Sequence, residues 1–183
     1  MRVALMDINR FNGFVKKRMK HRLEDDLVDF LILNERELHF RAYHHIEDFF
    51  SKKGRDRMMV RSERRLLKGK IADIVVSSDK KPRYVLEFKM YKRPNHIDFR
   101  AIESDLKKLQ KFVQKINSLR WAFLIILHDA DGLFSPTNHQ LRKEGFNKIS
   151  IVPINARILD SGRKRKGYDK WRRDFDRHRL VHE

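Results

Sequence analysis

The seven residues WAFLIIL at positions 121–127 are the longest unbroken apolar run in the chain. A run of this length without alternation reads as a continuous apolar strand of the kind a sheet interior uses. It is far shorter than the roughly 20 residues a membrane-spanning helix needs. KISIVPI, at 148–154, reads as a further strand. Upstream, RMMVRSERRLL, KIADIVVSS and PRYVLEFKM read as three strands joined by short polar turns, one containing Gly69 and one formed by SSDKKP. These three form a meander.

Helical periodicity brackets the strands. Leu23, Leu27, Phe30 and Leu31 recur at helical spacing after the basic stretch RFNGFVKKRMKHR. Asn34 is placed as an N-cap, with Glu37 at the third helical position as a capping-box variant, so a second helix covers ERELHFRAYHHIEDFF. Phe99, Ile102, Leu106, Leu109, Val113 and Ile116 alternate spacings of three and four and predict one long amphipathic helix. A short helix is admitted near HQLRKEG. The order α, α, β, β, β, α, β, (α), β predicts an α/β fold: a single domain with a central mixed β-sheet flanked by helices. Residues 34–156 form its core, residues 1–33 a basic, helical N-terminal extension, and residues 157–183 a basic C-terminal tail or helix.

At 183 residues one domain suffices to bury a core. The chain has no cysteine, which excludes disulfides, thiolate metal sites and cysteine nucleophiles. Its N-terminus, MRVALMDINRF, lacks the apolar stretch of a signal peptide. A soluble protein of the cytoplasm or another intracellular compartment, with no membrane partner, is the expectation. Lys and Arg number 43 against 25 Asp and Glu, a formal net charge of +18. Such a balance calls for a polyanionic partner, and nucleic acid fits best because the basic residues are spread through the fold.

Against that background, YVLEFKMY carries a glutamate and a lysine in the middle of an apolar strand. Side chains alternate along a strand, so Val85, Glu87 and Lys89 share one face while Leu86, Phe88 and Met90 share the other. In KIADIVVSS the same alternation places Asp73 on a face with Ile71 and Val75. A lone buried carboxylate is costly unless it is neutralised, paired or bound to a metal. If the two strands pair, Asp73, Glu87 and Lys89 converge into a cluster able to bind a hard divalent cation through oxygens. Glu35 lies at the start of the core-facing stripe of its helix, along with Leu38, Ala42, Ile46 and Phe49. Taken alone, it reads first as a first-turn acid favoured by the helix dipole.

A helical Glu, then an Asp on a strand, then Glu-x-Lys on the next strand resembles the PD-(D/E)XK nuclease superfamily. The runs ERELHF, KIADIVV and YVLEFKMYK are closest in pattern to the archaeal Holliday-junction resolvase-like endonucleases. The resemblance covers about residues 34–127, and Ala72 stands where the family name has Pro. It implies a restriction-endonuclease-like core and a Mg2+-dependent endonuclease that hydrolyses phosphodiester bonds of DNA, including structured substrates such as junctions, flaps or single-strand segments. By the same resemblance Glu35, Asp73, Glu87 and Lys89 are expected as the catalytic residues. Asp73, Glu87 and Glu35 are then expected to hold Mg2+, for which Mn2+ would substitute, and the carbonyl of Phe88 is a further ligand candidate. Lys89 then stabilises charge on the scissile phosphate.

Nucleic-acid contacts are expected from Arg61, Arg64, Arg65, Lys68 and Lys70 just before Asp73, and from Lys164, Arg165, Lys166, Lys170, Arg172 and Arg173 in the tail. Tyr168, Trp171 and Phe175 in that tail are either stacking platforms or a stripe docking on the domain. Lys107, Lys108 and Lys111 read as the solvent side of their helix. His39, His44 and His45 read as ordinary helix positions, and HDADG as a strand-end turn. DNA is the expected partner, with RNA left open and a homodimer admitted. A non-catalytic basic nucleic-acid-binding protein on the same scaffold is the alternative.

Overall fold

Strand order follows sequence order. In the computed structural model, which describes residues 8–29, 31–51, 58–91, 97–128 and 146–156, five strands form one sheet in the order β1-β2-β3-β4-β5. β1 (Met58–Leu67), β2 (Lys70–Ser78) and β3 (Lys81–Tyr91) are the antiparallel meander, as the turn residues predict. Gly69 turns β1 into β2 with φ 69°, in the region that favours glycine. Between β2 and β3 the turn is made by Asp79 and Lys80, both at positive φ, the backbone a two-residue hairpin needs.

The helix α4 (Phe99–Lys115) then carries the chain to β4 (Trp121–His128), which runs parallel to β3, and β5 (Ile149–Asn155) runs parallel to β4. Parallel neighbours demand such a crossover, and their burial on both faces explains the unbroken apolar run. Asp98 starts α4 as its N-cap, accepting the N–H groups of Arg100 and Ala101. On one face of the sheet Val75, Val85, Leu124 and Ile126 pack on Ile102, Leu106, Leu109 and Phe112 of α4. Phe99, placed on that stripe by its spacing, is instead exposed, because it stands in the first turn beyond the sheet contact.

The other face is covered by the N-terminal helices. α1 (Ile8–Gly13) passes through one π-helical stretch (Phe14–Met19) into α2 (Lys20–Val28), and α3 (Glu35–Ser51) follows. Phe11, Phe14, Val15, Met19, Leu23 and Leu27 join Leu38, Ala42 and Ile46 of α3 in one cluster with Tyr84, Phe88 and Phe123 of the sheet. The Phe11 and Tyr84 rings lie 4.4 Å apart. Residues 8–29 are therefore a layer of the domain, and the basic stretch of the sequence is helical, with Phe11, Phe14, Val15 and Met19 facing inward. Leu31, expected in the helical stripe, lies beyond the end of α2 and is 38% exposed. Asn34 caps α3 as its spacing predicts: its Oδ1 accepts the Glu37 N–H at 2.9 Å, while Glu37 reaches back to the Leu33 N–H at 2.5 Å.

The architecture is thus α/β, a five-stranded mixed sheet between helices. Among the described residues no helix is long and apolar enough to cross a membrane. The short helix near HQLRKEG and the tail from residue 157 lie outside the described residues.

Candidate functional site

β2 and β3 separate at one end, and the acids gather there. Their registered pairs run from Ser78↔Lys81 to Ile74↔Leu86 and stop, although β3 stays paired with β4 through Tyr91↔His128. Beyond Leu86 the N–H groups of β3 that would face β2 find side chains instead. Phe88 N–H donates to Asp73 Oδ2 at 2.8 Å, and Met90 N–H donates to Glu35 Oε2 at 3.2 Å. Two carboxylates thus take the place of ladder carbonyls, satisfying donors that burial would otherwise leave unpaired.

Asp73 reaches this position through an irregularity. Ala72 and Val75 both pack on the α4 side while Ile74 and Val76 pack on the other, so strict alternation breaks between them. Ile71, expected to flank Asp73 on a buried face, is exposed. Across from Asp73, between the pairs Ser62↔Ile74 and Arg64↔Ala72, Glu63 adopts φ 47°, a costly conformation for a residue with a Cβ.

On the α4 side, Glu87 is only 2% exposed. Its Oε2 accepts from Lys108 Nζ at 2.5 Å, and its Oε1 is buried with no hydrogen-bond partner. Burial, then the charge of Asp73, push the Glu87 carboxyl up to about 8, against the pull of Lys108. Lys89 Nζ lies 3.4 Å from Asp105 Oδ2, an ion pair whose geometry is not that of a hydrogen bond. Asp105 Oδ1 is 3.5 Å from Lys108 Nζ. Burial disfavours the Lys108 ammonium, but its bond to Glu87, the charge of Glu87 and the charge of Asp105 outweigh that and raise its pKa.

Apolar periodicity puts Lys108 on the solvent side of its helix. The structure turns it inward, because Asp105, Lys108 and Phe112 follow spacings of three and four on the buried side of α4. Periodicity of apolar residues alone does not reveal this; the acid at 105 within the stripe Ile102, Leu106, Leu109 is the signal that could have. His39 was also missed. One turn beyond Glu35 on α3, it packs on the Phe88 ring at 5.0 Å, with Nε2 3.6 Å from Asp73 Oδ2 and 4.0 Å from Glu35 Oε1. Its i, i+4 relation to Glu35 was legible. Tyr91 closes the end of β3, donating to the Asp98 carbonyl at 3.1 Å; burial and the charges of Asp98, Asp105 and Glu35 push its phenol up to about 12.

The sheet and α3 therefore bring Glu35, Asp73, Glu87 and Lys89 to the separated end of β2 and β3. Among the described residues no three His, Asp or Glu are gathered into a cage for a metal ion. A Mg2+ ion is commonly held by one or two carboxylates, with waters and substrate phosphate completing its shell. The orphaned, buried Oε1 of Glu87, close enough to Asp73 for the two charges to oppose each other, fits that kind of site.

Of the basic residues, Arg61 and Arg65 are exposed on β1, Lys68 is exposed in the adjoining turn, and Lys70 is half-buried. Arg64 is half-buried and donates to Ser77 Oγ at 3.4 Å. Lys164, Arg165, Lys166, Lys170, Arg172 and Arg173 lie outside the described residues.

No protein-family profile and no curated protein matches the chain. Among solved structures it is similar to SfsA of Pyrococcus furiosus in complex with Ca2+, with 16% identity and a TM-score of 0.38 over 63% of this chain and 55% of that one. The chain thus spans about half the length of that neighbour.

Proposed function

We propose that the protein is a metal-dependent nuclease that hydrolyses phosphodiester bonds of DNA, of the kind the PD-(D/E)XK resemblance implies. The observation that carries the reading is the buried Glu87, with an orphaned oxygen, an opposing Asp73 and two lysines within one cluster. A fold does not keep so costly a group for stability, since an apolar residue of similar volume would serve at least as well. Asp73 and Glu87 are the residues that would hold Mg2+ or Mn2+. Held there, such an ion would supply Lewis-acid charge at the scissile phosphate and lower the pKa of a bound water.

The remaining steps belong to the chain's own groups. Asp105 holds Lys89 in place beside the acids, so that the ammonium meets negative charge as it develops on the phosphate. Glu35, tied to the Met90 N–H, offers its second oxygen to orient the attacking water. The net charge of +18 concentrates a polyanionic substrate at the site.

The test is incubation of the purified protein with labelled duplex, four-way junction, flap and single-stranded DNA, and with RNA, in Mg2+, in Mn2+ and in EDTA. The expected result is cleavage with either metal and none with EDTA. Tight binding of every substrate without cleavage would leave the basic binding protein as the reading.

A further inference from the structure

We infer that Lys108 is a built-in stand-in for the divalent cation at Glu87, seated on the carboxylate in the metal-free protein and expelled when the ion binds. The inference rests on the metal-dependent reading above. Lys108 comes from α4, three residues after Asp105, and reaches across to β3, where its Nζ lies 2.5 Å from Glu87 Oε2 and 3.5 Å from Asp105 Oδ1. Whenever Glu87 is ionised it needs a cation beside it, because a buried carboxylate without one is strongly destabilising. Lys89 does not supply it, being engaged with Asp105.

Lys108 satisfies that need only in part. It binds one oxygen of Glu87 and leaves the other, Oε1, buried and without a hydrogen-bond partner. A divalent ion seated on Glu87 removes the reason for the ammonium to be there and repels it, since two cations then compete for the same oxygens. An exit exists: the Lys108 side chain is 22% exposed, and its flexible four-carbon stem lets the head swing into water while the stem stays packed. The device keeps the site folded without metal and sets a threshold that the ion must overcome. Phosphate of the bound substrate offers the displaced ammonium a new partner.

The test reads the Lys108 amine itself rather than cleavage. Wild-type protein is trace-labelled at lysine amines by reductive methylation, in EDTA and in saturating Mg2+ or Mn2+, and each lysine is quantified by mass spectrometry, with metal binding followed by calorimetry on the same sample. Expected is a several-fold rise in Lys108 labelling on metal binding, while Lys107, already 63% exposed on the same helix, stays unchanged as the control. In Glu87→Gln, Lys108 should be reactive in EDTA and indifferent to metal. If metal binds and Lys108 stays as protected as before, the inference is overturned while the nuclease reading stands. If no metal binds the wild-type protein, the nuclease reading fails and this inference with it.

Discussion

The Asp73 carboxylate accepts the backbone N–H of Phe88 at 2.8 Å, just past the last registered pair of β2 and β3. A side chain has replaced a ladder carbonyl, so the same residue holds the strand end in shape and carries charge into the site. Structural and chemical roles can be separated because the first needs only an acceptor oxygen, whereas the second needs a negative one.

Asp73→Asn keeps an acceptor for Phe88 and should leave stability within about 1 kcal/mol of wild type, while cleavage falls by orders of magnitude and DNA binding survives. Asp73→Ala strands the N–H of the fully buried Phe88 and should cost about 1–3 kcal/mol as well as activity. Denaturant unfolding and a cleavage assay on both variants check this. Wild-type cleavage by Asp73→Asn would remove Asp73 from the chemistry.

Glu87 gives a pH signature. Its carboxyl is raised from 4.5 in the unfolded reference to about 8 in the folded protein, by burial first and by Asp73 second. Between these values the native state binds more protons at this position than the unfolded state. Its contribution to stability is therefore complete below about pH 4.5 and is lost as pH rises toward about 8. In EDTA, urea unfolding across that window should show this decline, and Glu87→Gln should flatten it. An unaltered slope in the variant would mean that Glu87 titrates normally.

What the sequence made legible was set by local rules. The Asn34 cap, the Asp79 and Lys80 turn and the apolar run that became β4 each follow from a preference acting over a few residues. Glu87 and Lys89 were placed on one face because β3 keeps its alternation to the end. The sequence places Asp73 on the right strand for a reason that does not hold, since β2 loses its alternation at that residue, where its pairing with β3 has ended and Glu63 opposite it on β1 stands at positive φ. Lys108 and His39 were not legible as site residues. Helical periodicity says which side chains face a core, but whether a charged one among them meets a partner depends on contacts with other elements, Glu87 on β3 for Lys108 and Asp73 on β2 for His39.

Lys89 should separate metal binding from rate. Lys89→Met removes the ammonium that Asp105 holds and leaves Asp105 the Lys108 charge at 3.5 Å, so the fold should survive. Metal affinity by calorimetry should be retained. The cleavage rate should drop by roughly 10²–10³, the effect of removing one donor from charge that develops in a transition state. An equal loss of metal affinity would make Lys89 part of the site's architecture instead.

The basic edge formed by β1 and its turn carries the prediction about substrate contact. Arg65 and Lys68 are exposed there, so replacing them touches no packing and should change stability by no more than about 0.5 kcal/mol. Each phosphate they neutralise on a duplex contributes about −0.9 to the slope of log K against log salt. Arg65→Ala combined with Lys68→Ala should therefore make that slope shallower by about 1 to 2 and weaken binding alike across duplex sequences, because phosphate contacts hold a substrate in place without reading its bases. Filter binding or fluorescence anisotropy over a salt series measures it. A slope unchanged in the double variant, with binding intact, would mean that the phosphate track runs over another part of the +18 surface.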